Sequence, residues 1–208
     1  MRVVLGGALL LVAGASAAGA GLVRGTFWTR AGWVQDQTVP FSHRHHSGDL
    51  GIDCRYCHTG AETGAVAGLP PTHTCMTCHS QIWTGAPALA PVRQSYATGK
   101  PLAWNRVAQL PDYVYFDHHV HVVNGVACVE CHGRVDEMPL TWRAQPFTMD
   151  FCVDCHRHPE RALRPPSMVT RMDWSGLNPN LLKQYGIRIA GHKGLDPDRL
   201  TNCETCHR

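Results

Sequence analysis

Large apolar side chains are scarce in this chain. Only 8% of its 208 residues are aromatic, against 20 glycines and 14 prolines. So few core-filling side chains beside so many turn formers exclude an interior packed from side chains alone. A strong charge of either sign is also missing. The formal balance is +3, and it gives no ground for nucleic acid as a partner. Nor is any of the ten cysteines left over from a pair. What fills the interior must be something the cysteines hold.

Those cysteines fall as Cys54/Cys57, Cys75/Cys78, Cys128/Cys131, Cys152/Cys155 and Cys203/Cys206, each pair spaced Cys-x-x-Cys. A histidine follows each at once: His58, His79, His132, His156 and His207. On a helical turn, residues three apart are neighbours, so two such thiols can add to the two vinyl groups of one haem. The adjoining histidine then reaches the iron as proximal ligand. Zinc would need two cysteine pairs per tetrahedral site, and five pairs is an odd number for that. Disulfides in an exported protein would not require a histidine after every second cysteine. The spacing therefore predicts five covalently bound haem c groups, each with an iron. Their ten propionates would move the net charge to about −2 oxidised and about −7 reduced.

Residues 3–23, VVLGGALLLVAGASAAGAGLV, carry no charge. At helical rise that length crosses a bilayer core. A cleaved secretory signal competes, since Ala15-Ser16-Ala17 resembles a cleavage site, but the apolar run continues to Val23. The expectation is an uncleaved anchor over residues 1–25, followed by a haem domain over 26–208. Arg2 on one side and Arg24 and Arg30 on the other leave the positive-inside count undecided. Covalent haem attachment outside the bacterial inner membrane decides it instead. The chain should be single-pass in that membrane, with its haem domain in the periplasm.

The haem domain repeats itself. Phe41-Ser42-His43-x-x-His46 matches Phe116-Asp117-His118-x-x-His121, and Gly51-Ile52-x-Cys54 matches Gly125-Val126-x-Cys128. Self-similarity of this kind indicates duplicated units. Module one covers about 41–79, module two about 116–156, and the fifth haem sits at about 200–208. The proline-rich stretches 80–115 and 159–202 read as irregular chain with short helices wrapping the haems. The expected fold is that of a multihaem cytochrome c, mostly irregular with short α-helices around five haems, plus one N-terminal transmembrane helix.

Low-spin haems need a second axial ligand, histidine or methionine. His43, His46, His118 and His121 occupy equivalent positions in both modules, behind a phenylalanine that can pack on a porphyrin edge. They are the expected distal ligands. His45 and His119 break the match between modules. For the fifth haem, Met138, Met149, His73 and His192 are the candidates; a thioether would raise that haem's potential, although methionine is usually core filler.

The stretches FSHRHHSGDLGIDCRYCHTG, PTHTCMTCHSQIWTGAP, LPDYVYFDHHVHVVNGVACVECHGRVDEMPLTW and LTNCETCHR, with the single N-terminal helix, carry a resemblance. They resemble the membrane-anchored pentahaem cytochrome c subunit of alternative complex III, a bacterial quinol oxidase of respiratory and photosynthetic chains. The resemblance implies an electron-relay subunit beside a large iron–sulfur protein and polytopic quinol-binding subunits. Its acceptor would be a monohaem cytochrome or a soluble electron carrier. It carries over the proximal histidines and fits the paired distal ones, but gives His73, His192 and the region 167–200 no role.

Two other readings compete. A self-sufficient quinol dehydrogenase needs a proton acceptor at the membrane surface, where the chain offers Asp36. A free soluble carrier needs cleavage after Ala17.

Overall fold

The structure, a computed structural model, describes residues 2–207, and the side chains of 6–22 and 25–207. Met1 and Arg208, the ends of the two expected units, lie outside the described residues. Among those described there is no strand, only three isolated bridges, Ala31 to Arg143, Val34 to Trp142 and Val126 to Leu163.

The chain opens with α1, Arg2–Arg24, and a short α2, Thr26–Thr29. Gly6–Thr29 is long and apolar enough to cross a membrane by length and composition, and its most apolar window is not buried against the rest of the protein, although Thr29 at its end is. The following segment is stitched to the body by backbone and side-chain hydrogen bonds. Arg143 donates to the Thr29 carbonyl at 2.8 Å, Val107 at 3.3 Å and Gln109 at 3.1 Å. Gln37 and Asn105 exchange two bonds at 2.8 and 2.9 Å.

The body contains α3, Cys54–Cys57; α4, Thr72–His79; α5, Ala90–Thr98; α6, His118–Val123; α7, Cys128–His132; and α8, Met149–Arg157. It ends with α9, Pro179–Lys193; α10, Pro197–Leu200; and α11, Cys203–Cys206. Each Cys-x-x-Cys therefore lies on one helical turn. The expectation of only short helices in the proline-rich stretches needs correction at α9, which runs for 15 residues. Pro179 starts that helix instead of breaking it, because its missing N–H falls where no intrahelical bond is made, and Asn178 caps the next turn. Gly186 is required there: a Cβ would sit 1.8 Å from the Glu160 carbonyl.

The duplicated sequence folds into duplicated geometry. Phe41 lies 4.3 Å from the His46 ring and Phe116 lies 4.5 Å from His121, with interplanar angles of 23° and 28°. Ile52 donates to the His46 carbonyl and Val126 to the His121 carbonyl, both at 3.0 Å. One difference is built in. His46 to Gly51 spans five residues, whereas His121 to Gly125 spans four. Module one takes up the extra residue in a π-helical turn, Arg44–Asp49, where module two has α6.

The packed core is small, consisting of Val39, Val92, Val122, Ala127, Met138, Ala162, Leu163, Val169 and Met172. Most of these surround the third and fourth motifs. Tyr56, Leu69, Tyr113 and Tyr115 are left largely uncovered. Side chains alone do not fill this interior.

Candidate haem sites

Histidines from distant parts of the chain meet in pairs. The His43 and His58 rings are 6.4 Å apart between centroids, with planes 9° from parallel. His118 and His132 repeat the arrangement at 6.3 Å and 5°. His46 faces His79 at 6.2 Å and 67°, and His121 faces His156 at 6.0 Å and 20°. A metal–imidazole bond of about 2.0 Å, with the ring centroid about 1.1 Å behind the nitrogen, puts two rings on opposite sides of one iron about 6.2 Å apart. All four pairs have that spacing, so the residues present fit bis-histidine haem.

The ring nitrogens agree. His46 Nδ1 bonds the Ser42 carbonyl at 2.8 Å, and His121 Nδ1 the Asp117 carbonyl at 2.7 Å. His58 uses Gly68 at 2.7 Å, His79 Ile82 at 3.3 Å, His156 Leu200 at 2.9 Å and His207 Tyr113 at 3.0 Å. His118 reaches into module one, to the Ala65 carbonyl at 2.9 Å. His43 reaches into module two, to the Thr141 hydroxyl at 2.8 Å. With Nδ1 occupied, Nε2 is the nitrogen left to bind a metal. Burial, followed by the neighbouring His58, His46 and His132, lowers the His43 pKa to about 4. Burial, then His118 and His58, lowers that of His132 to about 4. Both rings are therefore neutral near pH 7, as a ligand must be.

The thiols string the motifs together. Cys54 and Cys128 are hydrogen-bonded across the two modules, which raises the Cys128 pKa and lowers that of Cys54. Cys57 is raised by burial and by Cys75. Burial and then Cys155 and Cys152 push Cys131 up to about 12, while burial and Cys206 raise Cys152. The motifs thus neighbour one another in the order second, first, third, fourth, fifth. All ten cysteines are free of disulfides, and among the described residues no group of three or more His, Cys, Asp or Glu could hold a metal ion as a compact cluster.

Two of the ten cysteines, Cys78 and Cys203, differ from the rest. Both are exposed, whereas the other eight thiols are half-buried. The physical reason is their place in the order, since they belong to the second and fifth motifs, its two ends, where no further motif lies beyond to cover them. The Cys78 sulfur accepts from the neighbouring Thr77 hydroxyl at 3.9 Å, a contact within its own helix α4. Cys75, its partner in the motif, is the one turned inward, and burial raises its pKa.

The remaining candidates scatter. His45 lies parallel to Trp83 at 5.8 Å and is 3.7 Å from Asp49. His119 bonds the Glu62 carbonyl. His73 and His192 are exposed, and His158 is 3.9 Å from Glu160. Met138 is in the packed core at 2% exposure, its methyl beside Gly133. Met149 is 70% exposed, one turn ahead of Cys152 on α8. The Nδ1 partners Thr141, Ala65, Gly68 and Tyr113 carry no local signal. Thr141 lies 98 residues from His43.

Residues 114–208 match the family described as cytochrome c7 and related cytochrome c. The matched stretch takes in the third, fourth and fifth Cys-x-x-Cys-His motifs. Over 99 residues, 47% of this chain, it is also 37% identical to the menaquinone reductase multiheme cytochrome c subunit of Nitratidesulfovibrio vulgaris strain Hildenborough. That match covers 46% of the relative, so the chain spans about half the length of the curated protein it matches.

Proposed function

We propose that this chain is the electron-relay subunit of a membrane quinol-oxidising complex of the alternative complex III type. A single anchor over residues 1–25 would hold a periplasmic domain, residues 26–208, bearing five haem c groups. The observation that carries the reading is the set of four facing histidine pairs, one for each of the first four motifs. On this reading the motif cysteines bind the porphyrins, Cys78 and Cys203 from the exposed edges of the two end sites. His58, His79, His132, His156 and His207 are proximal ligands, and His43, His46, His118 and His121 are distal ones. Met149 is the better fifth distal ligand, because it projects uncovered from α8 while Met138 is packed in the core.

Haem c, when bound, supplies the one-electron centres. The chain itself keeps His43 and His132 neutral by burial and fixes the planes of His43, His46, His118 and His121 through Nδ1. The continuous order of attachment sites suits a relay with two ends. The partners would be an iron–sulfur protein, polytopic quinol-binding subunits and a monohaem cytochrome or soluble acceptor.

A second reading, favoured by the menaquinone reductase relative, reverses the direction, with electrons entering from a periplasmic donor and leaving to quinone. Intact mass comes first, with five haems of about 616 Da each expected. Purification of the native complex, followed by addition of quinol, should reduce the haems of the intact complex, read from their absorbance. Reduction only by a periplasmic donor, with turnover of quinone, would support the reverse direction. Quinol turnover by the isolated subunit would replace the relay with a self-sufficient dehydrogenase.

A further inference from the structure

The two modules trade support for one histidine each. His118 of module two is fixed by the Ala65 carbonyl of module one, and His43 of module one by the Thr141 hydroxyl of module two. Of the facing histidines with a bonded Nδ1, the others end on backbone carbonyls and His43 alone ends on a side chain. With Nε2 turned to its partner ring, the His43 Nδ1 carries the proton and the hydroxyl accepts it. A hydroxyl oxygen that also carries its own proton is a poorer acceptor than an amide carbonyl, so it adds less to the basicity of the ring.

Thr141 is itself firmly carried. The next two residues, Trp142 and Arg143, bridge to Val34 and Ala31, and Gly32 donates to the Arg143 carbonyl at 2.7 Å. The segment leaving the membrane anchor therefore braces the residue that aims His43.

We propose that Thr141 is a positioning residue: its hydroxyl sets the plane and donor strength of His43, and so makes the first haem site unlike its duplicate, the third. The proposal rests on the reading of His43 and His58 as an axial pair, and the test separates the two. In the holoprotein, Thr141→Val leaves the Nδ1 proton without an acceptor. The imidazole becomes a weaker donor, the ferric state loses stabilisation, and one midpoint potential rises. Its rhombic low-spin electron paramagnetic resonance signal, expected of near-parallel rings, changes shape as the ring turns. Thr141→Ser restores both. If Thr141→Val does not assemble, Thr141→Ala against Thr141→Ser makes the same comparison, since the hydroxyl alone separates them. Wild-type spectra and potentials in the hydroxyl-free variant, alongside a high-spin haem in His43→Ala, would overturn the role of Thr141 alone. If His43→Ala keeps every haem low-spin, the axial pair falls and the proposal falls with it.

Discussion

Module one and module two repeat one pattern, and the places where they differ tell what each histidine pair depends on. The pairs His43/His58 and His118/His132 are nearly superimposable, at 9° and 5° between planes. The pairs His46/His79 and His121/His156 are not, at 67° and 20°. The first kind is held across the module boundary, where both modules must agree. In the second kind the distal ring is held within its own module, His46 by Ser42 and His121 by Asp117. There module one has absorbed an extra residue in a π-turn, and His46 faces a ring turned by its own local bond to Ile82. Cross-module contacts keep geometry, and local ones let it drift.

The comparison is most forcefully broken by removing ligands. His46→Ala and His121→Ala should each turn one haem high-spin while mass still counts five. Only His46→Ala should remove the large-g signal expected of strongly tilted rings, which resonance spectra of both variants would check. A common loss in both would erase the distinction.

A smaller effect separates two equivalent glycines. Gly51 has φ 66° with open space around its Cα, whereas at Gly125, φ 93°, a Cβ would sit 2.3 Å from the Arg164 carbonyl. Gly51→Ala should cost about 1 kcal/mol for its left-handed backbone, and Gly125→Ala about 3 kcal/mol or more, since backbone must also move. Denaturant midpoints of the two holoproteins measure the gap, and equal costs would mean that the modules tolerate this turn alike.

The smallest difference lies at the helix caps. Asp53 caps α3 by accepting from the Arg55 N–H at 2.9 Å, and it also accepts from Thr170, whereas its counterpart before α7 is Ala127. Hydrogen bonds from Arg55 hold its carboxyl down to about 2, from 3.8. The folded state therefore binds its proton less readily than the unfolded chain. The resulting stabilisation is fully present above about pH 4 and disappears as pH falls through about 2. Asp53→Ala should cost about 1 kcal/mol near neutrality, at the low end for so exposed a group. Melting curves of wild type and variant should converge on acidification.

Much of this was legible in the chain because covalent chemistry is local. Cys-x-x-Cys-His needs only one helical turn, so the five motifs are plain in the chain, as is the duplicated phenylalanine and histidine spacing. Which thiols stay exposed is not, because Cys78 and Cys75 share one motif and differ only in what packs against them. Helix α9 is not legible in the chain, because proline reads as an interrupter whereas Pro179 occupies a first-turn position. Met138 and Met149 could not be separated, since both are methionines near the same motifs, and only burial tells them apart.

The sequence by itself determined how many haem motifs there are, which histidines follow them, and that one uncharged run can cross a membrane. These depend on residues adjacent along the chain. Only the tertiary structure decided which histidine faces which, the order in which the motifs touch, and that Thr141 steadies His43. Those contacts join residues far apart in the chain, and their angles follow from how two packed modules meet, which no spacing along one strand of polypeptide can specify.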